Sequence, residues 1–153
     1  MIKIAAKIAF ASLLLFAAPQ PVYACSCEPP NQRKAFRKAR AIFIGEVLEI
    51  KESKNQKIAD FLGLATVYDI KFKVEKSWKG VKKSEISVVS DNGKLVCYGF
   101  DFHLGKKYLV YANKDDLVVI SHCMRTVSLA TTSEDIPNLN NFFFRLAARI
   151  LPF

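Results

Sequence analysis

The residues best suited to chemistry sit together in Ala24-Cys25-Ser26-Cys27-Glu28-Pro29, where two cysteines one residue apart follow directly on an apolar stretch. Joining them to each other is the least favoured of three connectivities, because a one-residue spacer closes a strained ring that anchors nothing. The other two connectivities use Cys97 and Cys123, the remaining cysteines of the chain's four. Both tie this short segment to the later half of the chain, and the spacing leaves both open. In the chain-entropy account, closed loops of roughly 70 to 100 residues contribute about 4 to 5 kcal/mol each as an upper bound.

Little else in the sequence is arranged for reaction. His103 and His122 are the only histidines, and neither has metal-ligand spacing such as two histidines four apart on a helix. His122 beside Cys123 imitates a zinc or thiol site, but an oxidised Cys123 serves neither purpose. Both histidines are expected in surface or turn positions. There is no Gly-rich phosphate loop and no serine in a nucleophile elbow, and the acids are dispersed. The residues nominate no catalytic group, no cofactor and no metal site of the chain's own, so an enzyme is not expected.

Residues 1–24 read as a secretory signal peptide: Lys3 and Lys7 supply the charged region, Ile8 to Ala18 the apolar region and Val22-Tyr23-Ala24 a small-residue cleavage site. The apolar run falls short of the roughly 20 residues of a membrane span, and Pro19 and Pro21 follow it. Export to a periplasmic or extracellular space makes a disulfide framework the natural reading of four cysteines in a small domain. The chain from Cys25 to Phe153 has the length of one domain. The formal net charge of the whole chain is +9, and it stays strongly positive without Lys3 and Lys7. That balance suits a soluble basic surface, or acidic partners such as polyanionic glycans, anionic lipids or acidic proteins. Nucleic acid is not an expected partner of an exported chain, and a monomer is expected.

The elements that must hold the segment follow in order. Pro29-Pro30-Asn31 reads as a turn with a helix cap, and Gln32 to Ala39 as a short basic helix with Ala35, Phe36 and Ala39 on its apolar side. Ala41 to Ile50 is β-branched and aromatic enough for a strand, with Gly45 marking a bulge or bend. Lys51 to Gly63 reads as a long loop with an apolar tip at Ile58 to Leu62, either a binding element or a hairpin end. Val67 to Trp78 alternates, Ile70, Phe72 and Val74 against Lys71, Lys73 and Glu75, and is the clearest strand. Glu85 to Val89, Lys107 to Ala112 and Leu117 to Cys123 complete a set of short strands that argues for a small barrel or sandwich. Thr131 to Pro137 offers Ser and Thr helix-cap candidates with the acids Glu134 and Asp135 beside them, preceding a helical stretch through roughly Ile150 with Leu139, Phe142, Phe143, Leu146 and Ile150 near one face. Packing of that face on the barrel is expected; the alternative is a membrane-surface helix, suggested by Phe142-Phe143-Phe144, Arg145 and Arg149.

The ordered set resembles the netrin-like domain, and within it the inhibitory domain of tissue inhibitors of metalloproteinases. Cys25-Ser26-Cys27 with Pro29, the helix carrying Ala35-Phe36 and Ala39, and Ile42 to Val47 match in order. So do Phe72-Lys73-Val74 leading to Trp78-Lys79-Gly80, Val96-Cys97-Tyr98-Gly99, Gly105 to Ala112 and Ser121-His122-Cys123. The resemblance covers Cys25 to about Leu129. It implies a mainly β, OB-fold-like, five-stranded antiparallel barrel over residues 25–130, a short N-terminal helix, and a C-terminal helical tail over residues 131–153. It also implies disulfides Cys25–Cys97 and Cys27–Cys123. In that family the α-amino and carbonyl groups of the first cysteine chelate the catalytic zinc of a protease. The implied contact ridge is therefore Cys25, Ser26, Cys27, Glu28 and Pro29, with the metal belonging to the partner. Two departures stand out: Arg37 occupies the place of a cysteine of the family's third disulfide, and Glu28 brings a charge to the ridge.

Three functions therefore compete. One is an exported inhibitor of a zinc metalloprotease. Another is a non-inhibitory interaction module for an acidic glycan, lipid or envelope partner. The third is a lipoprotein anchored at Cys25, since Ala24-Cys25 resembles the end of a lipoprotein signal, although Tyr23 and the absence of leucine at position 22 fit it poorly.

Overall fold

A computed structural model describes residues 28, 30–54, 59–60, 66–91, 99–113, 124–131 and 133–150. It begins with α1, Gln32–Lys38, whose cap is the expected one: the Asn31 side chain accepts the Lys34 N–H at 2.9 Å. At the other end the Lys79 amino group donates to the carbonyls of Phe36 (2.7 Å) and Arg37 (3.1 Å). A cation there meets the negative end of the helix dipole and satisfies carbonyls that have no partner within the helix. Ala35 and Phe36 are buried, and the helix runs into β1 at Ala39 with no intervening loop.

The strands are β1, Ala39–Glu52; β2, Tyr68–Lys79; β3, Glu85–Ser90; β4, Lys107–Asn113; and β5, Val127–Ser128. They form one antiparallel sheet in the order β3-β2-β1-β4-β5. The mainly β architecture with five antiparallel strands is thus as expected, but the sheet is open. Among the described residues no ladder joins β3 to β5, because β5, at two residues, is too short to reach round. The expected strand Leu117 to Cys123 lies outside the described residues. So does most of the loop tip Ile58 to Leu62, of which Ala59 is buried.

β1 coils strongly. Its register against β2 shifts between Ile42 and Phe43, between Ile44 and Gly45, and between Val47 and Glu49, each shift adding local twist. Gly45 permits the middle one, since a Cβ there would stand 3.0 Å from the Lys73 carbonyl oxygen and 3.2 Å from the Phe72 Cβ. Gly80, which ends β2, has φ +74° and lies so close to the Arg40 carbonyl that a Cβ would fall 2.1 Å from its oxygen. Only glycine takes both the turn and the approach.

Because strand side chains alternate, β1 and β4 feed two cores. Ala41, Phe43 and Val47 of β1, with Tyr108, Val110 and Ala112 of β4, join Ile70, Phe72, Val88 and Phe102 on one side. Ile42 of β1, with Leu109 and Tyr111 of β4, joins Ala35, Phe36, Trp78, Met124, Leu139 and Ala148 on the side covered by helices. Ala39 belongs to this second core although its parity matches the first, which the register shift between Ala39 and Ala41 explains.

The C-terminal stretch is two helices rather than one: α2, Asp135–Asn140, and α3, Phe142–Ile150. Asn141 makes the break. It has extended backbone, and its side-chain oxygen accepts the N–H groups of Phe143 (2.8 Å) and Phe144 (3.3 Å), starting a new helix. The Arg145 guanidinium pins the corner by donating to the Leu139 carbonyl at 2.8 Å. The break also corrects the expected packing face. Leu139 is buried, but Phe142, Phe143, Leu146 and Ile150 are exposed, and Phe144 and Ala148 turn inward instead. The Phe144 ring meets Phe36 edge-on at 6.3 Å, and the small Ala148 lets the helix lie close.

Candidate functional site

Of the expected ridge, only Glu28 lies among the described residues, followed by Pro30 just beyond it. Glu28 is exposed and Pro30 is half-buried. Cys25, Ser26, Cys27 and Pro29 lie outside the described residues, as do Cys97 and Cys123 and with them both expected disulfides. What the structure does show is a polar network that reaches Pro30, the residue following the expected ridge.

Its centre is Asp135, the first residue of α2 and only 4 % exposed. The Arg125 guanidinium grips the carboxylate with two bonds, Nε to Oδ2 at 2.7 Å and Nη2 to Oδ1 at 2.6 Å. This is the paired geometry in which arginine binds a carboxylate best. The Tyr111 hydroxyl on β4 donates to Oδ2 at 2.8 Å. The Gln32 side chain on α1 donates to the Asp135 carbonyl at 2.8 Å and accepts from Asn138 at 2.8 Å. From this knot Arg125 extends Nη1 to the Pro30 carbonyl at 3.4 Å. α1, β4, α2 and the segment leading into β5 are thereby tied at one point, with the Pro30 carbonyl bonded to it.

The electrostatics follow from the geometry. The bonds to Asp135 hold the Arg125 guanidinium in its charged form above its usual range. Burial, followed by the Asp135 charge, pushes the Tyr111 phenol far above the ordinary tyrosine value of 10.0. The folded state therefore keeps a proton that the unfolded chain gives up in alkali. This contribution is whole below pH 10 and declines as pH rises beyond it, by about 1.4 kcal/mol per pH unit. Urea midpoints measured from pH 8 to 11 are expected to be unaffected by this group up to about pH 9 and to fall as the pH passes about 10 for the native protein. Tyr111→Phe should begin less stable by about 1 kcal/mol and lose this part of the slope.

None of this network was evident from the residues alone. Asp135 reads in the sequence as one of several acids beside a helix cap, and Arg125 as one basic residue among many. Their partners come from positions 32, 111 and 30, and no periodicity links them. His103 is exposed as expected, 3.7 Å from Asp101, while His122 lies outside the described residues. Among the described residues no group of three or more His, Cys, Asp or Glu is placed to hold a metal ion, and no helix is long and apolar enough to cross a membrane. No family model matches the chain, and no curated protein matches it.

Proposed function

We propose that the protein is an exported, disulfide-stapled binding protein that acts through its N-terminal ridge, residues 25–29, to block a zinc endopeptidase. The observation that carries this reading is the Arg125 grip on the Pro30 carbonyl, backed by the buried Asp135. It fixes the chain at the base of the ridge while Glu28, two residues earlier, stands in solvent. A segment held at its root binds with less ordering cost than a free tail. In the mechanism, the Cys25 α-amino group, whose ordinary pKa is about 7.7 to 8.0, loses its proton near neutral pH. Together with the Cys25 carbonyl it occupies the coordination positions of the protease's zinc that would otherwise hold the attacking water. Ser26 enters the specificity pocket, and Cys27, Glu28 and Pro29 lie along the cleft. The disulfides Cys25–Cys97 and Cys27–Cys123 hold the ridge to the sheet.

The test is a single alanine added before Cys25, assayed against a panel of zinc endopeptidases, with mass spectrometry establishing the N-terminal residue and the disulfide pairs. Inhibition by the native chain is expected to fall at least about a hundredfold, some 2.7 kcal/mol, since the added residue removes the chelating amine. Undiminished inhibition, absence of inhibition by a chain with a free Cys25 amine, or a lipid on Cys25 would each sink the reading.

A further inference from the structure

α3 has two apolar faces, and only one is used by the fold. Phe144 and Ala148 meet the second core. Phe142, Phe143, Leu146 and Ile150 are exposed by 62 %, 77 %, 42 % and 65 %. At about 100° per residue these four share one arc of the helix, with Arg149 and then Arg145 along its border. Four large apolar side chains presented together by a nine-residue helix form a patch that needs a cover, unlike scattered single residues.

The surroundings of the patch are basic. Arg145 and Arg149 share a groove of about 300 Å³ with Ser77, Trp78, Phe142 and Leu146. The Lys76 amino group stands 5.3 Å over the Trp78 ring. Lys79 has its pKa lowered first by burial and then by the charges of Arg149 and Arg40, which places these three cations in one neighbourhood. Exposed Lys82 and Lys83 continue the basic surface after β2. Among the described residues no carboxylate forms an ion pair with Arg40, Lys76, Lys82, Lys83, Arg145 or Arg149.

A cover must satisfy rings and cations together. A polyanionic glycan would neutralise the cations and leave the rings in water. An apolar protein groove would bury the rings and leave a positive border facing it. A bilayer carrying anionic headgroups answers both, since acyl chains lie directly beneath the phosphates. A nine-residue helix is too short to cross a hydrocarbon core that takes roughly 20 residues, so it can only lie along such a surface.

We infer that α3 docks the protein on an anionic lipid surface. The helix lies in the plane of the interface, with Phe142, Phe143, Leu146 and Ile150 among the upper acyl segments and Arg145 and Arg149 at phosphate level. The inference is independent of the N-terminal ridge and holds whether or not that ridge inhibits a protease.

The test uses the full chain, carrying its own N-terminus, with phosphatidylcholine vesicles and with vesicles containing about one-third phosphatidylglycerol. Sedimentation measures binding, and amide exchange measures protection over residues 142–150. Binding and protection are expected with the anionic vesicles, weakening as salt is raised. Phe143→Glu should weaken binding about tenfold or more, and Arg149→Glu should act in the same direction. Both sites are exposed, so folding is expected to be kept, and thermal unfolding checks this. Exchange over 142–150 reports on α3 itself, so an apolar leader elsewhere in the chain cannot imitate the result. The inference is overturned by unchanged exchange over 142–150, by equal protection on neutral vesicles, or by binding indifferent to Phe143→Glu. A dimer that Phe143→Glu dissociates, without vesicle binding, overturns it in favour of a second copy of the chain as the cover.

Discussion

Asp135→Ala is expected to destabilise the protein by about 3 kcal/mol, read as a lowered urea midpoint at neutral pH. The substitution removes the acceptor for both Arg125 bonds and for the Tyr111 hydroxyl. It leaves a guanidinium that is 29 % exposed and a phenol in a fully buried side chain. Complete burial of the abandoned cation would place the cost at the upper end of the range of about 3 to 5 kcal/mol for broken buried pairs; partial access to water brings it lower. Arg125→Met is expected to cost about as much, because it strands the carboxylate, which at 5 % side-chain exposure is the deeper of the two charges. The double substitution should cost clearly less than the sum of the two, a coupling that a mutant cycle measures directly. Strict additivity would show that the two groups do not act as a pair. For the proposed inhibitor, Arg125→Met should also weaken protease binding, since it removes the donor to the Pro30 carbonyl.

In the first core the largest effect is expected at Phe72. Its side chain is fully buried, and its ring meets Phe43 at 5.5 Å and Phe102 at 5.2 Å, both edge-on. Phe102 in turn meets Tyr108 at 4.9 Å, so one ring removed opens a gap at the middle of an aromatic chain. Phe72→Ala is expected to cost about 3 to 5 kcal/mol, the transfer and cavity contributions together. Phe72→Leu keeps most of the volume and should cost about 1.5 kcal/mol or less. Thermal melts of both variants check the order; similar losses would mean that edge-on ring geometry matters more than volume.

What the sequence could express depended on how local each signal was. The Asn31 cap and the helix after it were legible because cap and helix are neighbours in sequence. β2 was legible because Ile70 and Phe72 alternate with charged residues, and Gly45 announced its irregularity by being a glycine in a β-branched run. β5 was not legible, since two residues carry no period. The break at Asn141 was not legible either, because asparagine is tolerated inside helices and only its side-chain bonds to Phe143 and Phe144 mark it as a cap. The buried face of α3 could not be chosen from periodicity, since Phe142, Phe143, Phe144, Leu146 and Ile150 make the helix apolar around most of its circumference. The Asp135 knot needed the completed fold, as its members come from four separate stretches.

The position of β1 has a consequence for how the molecule is made. Among the described strands it is the first to be synthesised, and it lies at the centre of the sheet, bonded on one side to β2 and on the other to β4. Its second ladder pairs Phe43 with Val110 and Ile44 with Leu109, so half of its backbone groups wait for a partner until most of the chain exists. Pairings this distant in sequence form slowly, because a long loop must close before any contact rewards it. Until then the apolar run Ala41-Ile42-Phe43-Ile44 is an open edge, the kind of segment that recruits a wrong neighbour. A chain stopped short of β4 would keep that edge permanently, so the end of synthesis decides the fate of its beginning.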